Sequence, residues 1–304
     1  MNLYNLGMIL STAALYMTAG TGIAICMKTG NINLGSEGQI YAGGFICAIF
    51  LDLLSKYNCP SAIAVPLGFL AAAIISGILS SISALLQKFR NASFLLTSFI
   101  VSAAIIPLID GLITGPFKSK TSNLIATAFI AKNYRFTQLL PPSAFNGFFF
   151  VALFICVTGG LFIYKTQFGK QICIYGKAPD FAKYSGFSSE KIEISTALIS
   201  GALNGVTGAA AICGTYYSCH GGFYAGMGWN ALAVAMIAGL NPYLIIPSSL
   251  FFSYVIYTAN QFALYHNFDF DISGLIQAIV IFAISIPFIS KIKTKKLPEK
   301  RSVK

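Results

Sequence analysis

Between residues 194 and 268 the chain runs for 75 residues without one Asp, Glu, Lys or Arg. A water-facing surface needs charge at far shorter intervals, so this stretch belongs in hydrocarbon. Composition agrees: 56% of the 304 residues are hydrophobic, 10% are charged, and mean hydropathy is +0.74. These values exclude a soluble enzyme and a disordered chain. The apolar runs are continuous rather than alternating with period two, which excludes a porin-type barrel. The expected fold class is all-α, a polytopic membrane protein.

Uncharged apolar runs predict spanning helices at 6–27, 61–86, 91–109, 146–164, 194–212, 243–261 and 272–290. Two further runs, 38–51 and 229–240, are shorter than the ~20 residues that cross a bilayer. They are expected as half-helices or embedded segments, for a total of about nine transmembrane or half-membrane helices. One membrane domain then covers 1–290, with a loop at 165–193 and a basic tail at 291–304. The first run has no basic residues before it and no polar domain after it, so it reads as an anchor rather than a cleaved signal peptide.

Net charge is +11, from 20 Lys and Arg against 9 Asp and Glu. Seven of the basic residues lie in the tail, and five (Lys165, Lys170, Lys177, Lys183 and Lys191) lie in the central loop. Both segments read as cytoplasmic by the positive-inside rule. If both short runs cross, fifteen basic residues fall inside against five outside (Lys56, Lys118, Lys120, Lys132 and Arg135), with an external amino terminus and a cytoplasmic carboxyl terminus. No aromatic residue interleaves with the tail charges, so the expected neighbour is a lipid headgroup and not nucleic acid.

Chemistry-bearing residues are few. The seven cysteines fit no disulfide framework or zinc site; Cys213 and Cys219 could pair, and buried thiols acting as small hydrophobes are the default. His220 and His266 have no metal-binding spacing, and Asp269 and Asp271 fall in an outer loop. No GxxxxGK[ST] phosphate loop occurs, so an enzymatic role and a bound cofactor are not expected; any ATP must be bound and hydrolysed by another chain.

Two glycine-rich breaks flank the two short runs, one at 29–39 and one at 220–230. Paired breaks of this kind point to a transporter's central site, because unwound backbone at membrane depth is tolerated only where it is buried or lines a polar cavity. Asn31, Asn33, Gln39, Asn204 and Asn230 could hydrogen-bond a solute there, while Tyr216, Tyr217, Phe223 and Trp229 could stack on a planar ring. The competing reading makes these segments ordinary turns with glycines for close packing. Glu37 is either an ion or proton ligand or a carboxylate that fixes loop geometry by accepting backbone N–H bonds. Gly201 and Gly205 form a GxxxG motif that continues to Gly208, a helix-packing signal. In the central loop, Ala178, Pro179, Asp180, Phe181, Ala182 and Tyr184, closed by Gly186, read as a two-turn helix. Such a helix is either a docking knob for a cytoplasmic partner or a segment lying on lipid.

These motifs resemble the inner-membrane permeases of ATP-binding cassette importers, in the branch of ribose-type and nucleoside-type systems. The resemblance rests on 31–39 (like N-I-G-x-E-G-Q), 176–187 (like G-x-N-P-x-A-A-x-x-x-G-I), 200–208 (like S-G-A-L-A-G-L-A-G) and 226–242 (like G-x-G-F-x-G-I-A-V-A-L-L-G-x-N-x-P). It implies a subunit of the bacterial inner membrane that pairs with a second permease and docks an ATPase at 178–187. It also implies a nucleoside-like solute, handed over by a lipid-anchored binding protein. The chain departs from the nucleoside group at 91–100, where Ala92 and Ser98 to Ile100 lack its acid and second Asn. Riboflavin or a sugar is therefore a second solute candidate, and a stand-alone ion-coupled carrier using Glu37 is the rival mechanism.

Overall fold

The computed structural model describes residues 2–119 and 124–266, together with 274, 275, 278, 279 and 282. The span expected at 272–290, the tail at 291–304, and Lys120, Asp269 and Asp271 lie outside the described residues. Ten α-helices carry the described chain: α1 (Leu3–Met27), α2 (Ser36–Lys56), α3 (Ser61–Arg90), α4 (Phe94–Thr114), α5 (Phe148–Lys165), α6 (Gln167–Lys177), α7 (Pro179–Tyr184), α8 (Ser189–Ala211), α9 (Met227–Ile237) and α10 (Pro242–Tyr265). Seven of them are long and apolar enough to cross a membrane: α1, α2, α3, α4, α5, α10, and α8 with the turn that follows it. Met1–Ser253 forms one compact unit; Tyr254–Lys304 groups separately, its described part being the end of α10 and the isolated residues named above.

The apolar run at 38–51 is the core of a full-length helix, because α2 extends to 21 residues. Its polar ends masked that length. Ser36 and Glu37 form the first turn, and Lys56 pairs with Asp52 at 2.9 Å across the last. The other short run remains short: α9 has 11 residues, about 16 Å at 1.5 Å per residue.

Helix α8 is the centre of the bundle, packed against α1, α2 and α3, and glycines make that possible. A Cβ on Gly201 would lie 2.5 Å from Ser80 Cβ and 3.0 Å from Gly77 Cα of α3. On Gly205 it would meet Ala72 and Ser76 of α3, and on Gly208 it would meet Ile40 and Gly44 of α2. The GxxxG reading therefore holds on two faces at once, with Gly43 of α2 closing against the Gly205 backbone.

Contacts sort the connections into two ends. At the basic end, Lys28 sits 5.3 Å above the Tyr164 ring, Gly176 abuts the Lys28 carbonyl, and Lys88 pairs with Glu190 at 2.6 Å. At the loop end, the segment after α4 is strapped onto the chain after α8. Thr127, Ile130 and Phe136 donate their backbone N–H groups to Cys219, Tyr217 and Cys213, at 2.9 Å each. Arg135, counted as an exception to the charge rule, has a packing role there. Its guanidinium donates to the Ile130 carbonyl at 3.0 and 3.2 Å and lies 4.8 Å from the Tyr217 ring centre. All seven cysteines are free thiols, so Cys213 and Cys219 are not paired.

Candidate functional site

The first glycine-rich break is held by a buried polar knot. Asn33 Nδ2 donates to Gln39 Oε1 at 2.9 Å and to Ser200 Oγ at 3.0 Å, and Gln39 Nε2 returns a bond to Asn33 Oδ1 at 3.2 Å. Asn204 of α8 donates to the same Gln39 oxygen at 2.8 Å, while Ser76 of α3 donates to the Gln39 carbonyl at 2.7 Å. Asn31 exchanges bonds with Gln87 at the end of α3 at 3.3 and 3.4 Å. Asn33, Gln39 and Asn204 are thus brought together as a clamp among α2, α3 and α8, their donors used on one another and on Ser200, while Asn31 pairs apart from them with Gln87. Net hydrogen-bond energy is modest, but a partner left unpaired in such a place costs about 1–3 kcal/mol. Only the buried Oδ1 of Asn204 has no protein partner in this knot.

Helix α4 supports the break from its other side. Ser98 Oγ accepts the Leu34 N–H at 3.1 Å, and Ser102 Oγ accepts the Gly38 N–H at 2.8 Å. The stretch where the chain departs from the nucleoside group therefore forms part of the wall of the break.

Glu37 joins the two breaks. Helix α9 begins after Gly226, which has left-handed backbone (φ +75°) and no side chain to cap the helix. Glu37, carried on α2, lies against the first turn of α9, its carboxylate facing the Trp229 backbone N–H. A carboxylate in that place meets the positive end of the helix dipole. The fit is close, since a Cβ on Gly228 would lie 2.6 Å from the Glu37 backbone nitrogen. One carboxylate oxygen, Oε1, is buried without a partner. One residue further on, Asn230 Nδ2 donates to Tyr16 of α1 at 2.8 Å, and its Oδ1 is likewise unpartnered. Glu37→Ala is expected to cost about 1 kcal/mol of α9 anchoring, whereas Glu37→Gln retains an acceptor and keeps the anchor. Hydrogen exchange at the Trp229 and Asn230 amides reads the difference.

Above this junction lies a ring cluster. Tyr41 contacts Phe223 (centroids 5.6 Å) and Tyr224 (5.1 Å), and Tyr216 contacts His220 (5.2 Å) and Phe223 (5.6 Å). The Tyr41 hydroxyl donates to Asp110 on α4. Asp110 is the carboxylate that sequence reasoning missed. It lies one residue past the uncharged run at 91–109, so it read as a boundary rather than as part of a helix that continues to Thr114. His220 follows a five-residue π-helical turn, Ile212–Tyr216, and its burial lowers its pKa from the usual 6.5, favouring the neutral ring. Tyr216 and Phe223 are therefore grouped with each other, while Trp229 sits with Glu37 at the start of α9.

The predicted two-turn helix in the central loop is α7. Pro179 opens it, and Gly186 (φ +78°) closes it with the paired bonds Phe187 N–H to Ala182 O and Gly186 N–H to Lys183 O, both 3.0 Å. That is the Schellman cap expected of a glycine at this position. Ala182 is fully buried against Ile25, Ile172 and Ile192, while Phe181 and Tyr184 are 61% and 95% exposed.

A bundle of spanning helices with two broken segments meeting at a polar junction, and a rigid aromatic knob at the basic end, has the build of a transport permease. Residues 5–285 match the family described as branched-chain amino acid transport system / permease component, and the chain belongs to it. Its relatives include the probable riboflavin import permease protein RfuC of Treponema pallidum, 32% identical over 273 residues, covering 90% of this chain and 72% of that protein. The guanosine ABC transporter permease protein NupP of Bacillus subtilis is 24% identical, covering 78% of this chain and 68% of that protein. The glucose ABC transporter permease protein TsgB13 of Haloferax volcanii is also 24% identical, covering 95% and 78%. No solved structure matches the chain.

Proposed function

We propose that the chain is the membrane-spanning subunit of an importer driven by ATP hydrolysed on a separate chain. Its solute is a fused nitrogen heterocycle bearing a hydroxylated side chain, a nucleoside or riboflavin. The observation that carries this reading is the junction of the two breaks, where Glu37 and Asn230 each keep a buried unpartnered acceptor at the first turn of α9, the turn that also carries Trp229. An acceptor-rich, aromatic site suits a planar donor-bearing ring.

Riboflavin is favoured as the first solute to test by two observations. The relative at 32% identity is named for it, and the wall segment containing Ser98 lacks the groups typical of nucleoside permeases. The chain is proposed to sit in the inner cell membrane with its basic end and tail toward the cytoplasm, which the clustering of Lys28, Lys88 and the α6–α7 lysines supports. A second permease subunit would complete the pathway, α7 would receive the ATPase, and a lipid-anchored binding protein would deliver solute at the loop end. No cofactor is proposed for this chain; ATP binds the partner. Competition for ATP-driven uptake of labelled riboflavin tests the solute class. Saturable uptake, competed by riboflavin or guanosine and indifferent to glucose, is expected. Competition by glucose alone would place the chain with the sugar permeases.

A further inference from the structure

A recess of about 380 Å³ opens on the side of the bundle between α1, α5 and α8. Its walls include Thr21 and Ile25, Thr158 and Phe162, and Leu198 and Leu203. All three helices are long and apolar enough to cross a membrane, so the recess lies at membrane depth. The two hydroxyls do not face the recess as free groups. Thr21 donates to the Met17 carbonyl at 2.7 Å, and Thr158 donates to the Phe154 carbonyl at 2.8 Å, each one turn back on its own helix. The recess is within the ~300–1,000 Å³ range of small-ligand clefts. It takes in roughly one to two turns of each helix, too little to seat another spanning helix along its length.

Charge lies at one end only. Lys165 follows Phe162 by three residues and shares its face of α5, and Lys191 precedes Leu198 by two turns and shares its face of α8. Both are exposed, and neither makes an ion pair among the described residues. Helix α6 runs beside them as an interfacial helix. Ile172 and Tyr175 pack inward with Ile25, Ile163 and Ile192, and Lys170 and Lys177 stay exposed. Burial and a hydrogen bond to Glu193 push the Tyr175 hydroxyl up to about 12, so it stays neutral with its hydrogen given to that carboxylate.

We infer that this recess holds one acyl chain of an anionic phospholipid from the leaflet at the basic end, with the phosphate held by Lys165 and Lys191. A largely apolar slot in a membrane is filled by hydrocarbon, and the lysines beyond its mouth select the headgroup charge. The site is separate from the junction of the two breaks and does not depend on which solute the protein carries.

Native mass spectrometry of the intact importer complex, after incubation with mixed phosphatidylglycerol and phosphatidylcholine vesicles, reads the inference directly. The wild type should retain one phosphatidylglycerol under activation that strips other lipids. Thr158→Trp fills the recess and should lose that adduct, while Thr158→Val keeps it. Lys165→Gln combined with Lys191→Gln should keep a lipid adduct but lose the preference for the anionic headgroup. Retention of the adduct by Thr158→Trp, or an unchanged preference in the double lysine variant, overturns the inference. So does cross-linking of a Leu203→Cys variant to a protein subunit. Should the tryptophan variant fail to insert, the lysine pair decides alone.

Discussion

Gly205→Leu is expected to prevent assembly of the helix bundle, so that the protein leaves mild detergent as aggregate rather than as a single species. A Cβ at this position would already lie 2.7 Å from Ser76 Oγ and 2.8 Å from the Ala72 carbonyl carbon, and the backbone of Gly43 closes the opposite side. Backbone atoms on both flanks leave no room to yield. Overpacking costs roughly 1–3 kcal/mol for small excesses, and a full leucine at a helix crossing exceeds that against a total stability of about 5–15 kcal/mol. Gly205→Ala should give a folded but weakened protein. Gly111→Ala, at a position with open space around it, should be neutral. Size-exclusion chromatography and thermal melts of the three variants give the ranking, and equal behaviour of Gly205→Leu and Gly111→Ala would remove α8 from the centre of the fold.

Phe181→Ala with Tyr184→Ala should leave the subunit inserted while separating it from its ATPase. The two rings project from a helix anchored by buried Ala182 and fixed at its end by the Gly186 cap, so they are presented rigidly and nothing in the described chain covers them. Truncating an aromatic anchor at a protein interface costs about 2 kcal/mol or more, roughly 30-fold in affinity. Uptake should fall more than tenfold and co-purification of the ATPase should be lost. Deleting residues 179–185 should do the same. Gly186→Pro should too, because proline requires φ near −65° where this residue has +78°. Full ATP-driven uptake by the double alanine variant would leave α7 as a lipid-surface helix.

What was legible in the sequence was whatever a local pattern encodes. Six of the uncharged runs gave spans that the described residues contain (α1, α3, α4, α5, α8 and α10), the small-residue repeat from Gly201 to Gly208 gave a close crossing, and Pro179 with Gly186 gave α7 and its cap. Two things were not legible, for separate reasons. The length of α2 was hidden because its ends are polar: Glu37 is held by α9 and Asp52 by Lys56, and an apolar window cannot see compensated charge. The fate of the amides was hidden because partners 165 and 167 residues away decide it. Asn33, Gln39 and Asn204 look alike as solute ligands or as helix clamps until Ser200 and Ser76 are placed beside them. The surroundings of Glu37 were hidden for the same reason, since they depend on the approach of a segment about 190 residues further along the chain.

The most direct test is transport by the chain purified with and without the proteins that accompany it from mild detergent. Reconstituted vesicles would be energised in turn by enclosed ATP and by an imposed proton or sodium gradient. Solute-stimulated ATP hydrolysis and uptake only when an ATPase and a second permease are present, with Glu37→Gln retaining most of it, is the predicted result. Gradient-driven uptake by this chain alone, lost in Glu37→Gln, would contradict the account and make Glu37 the coupling site.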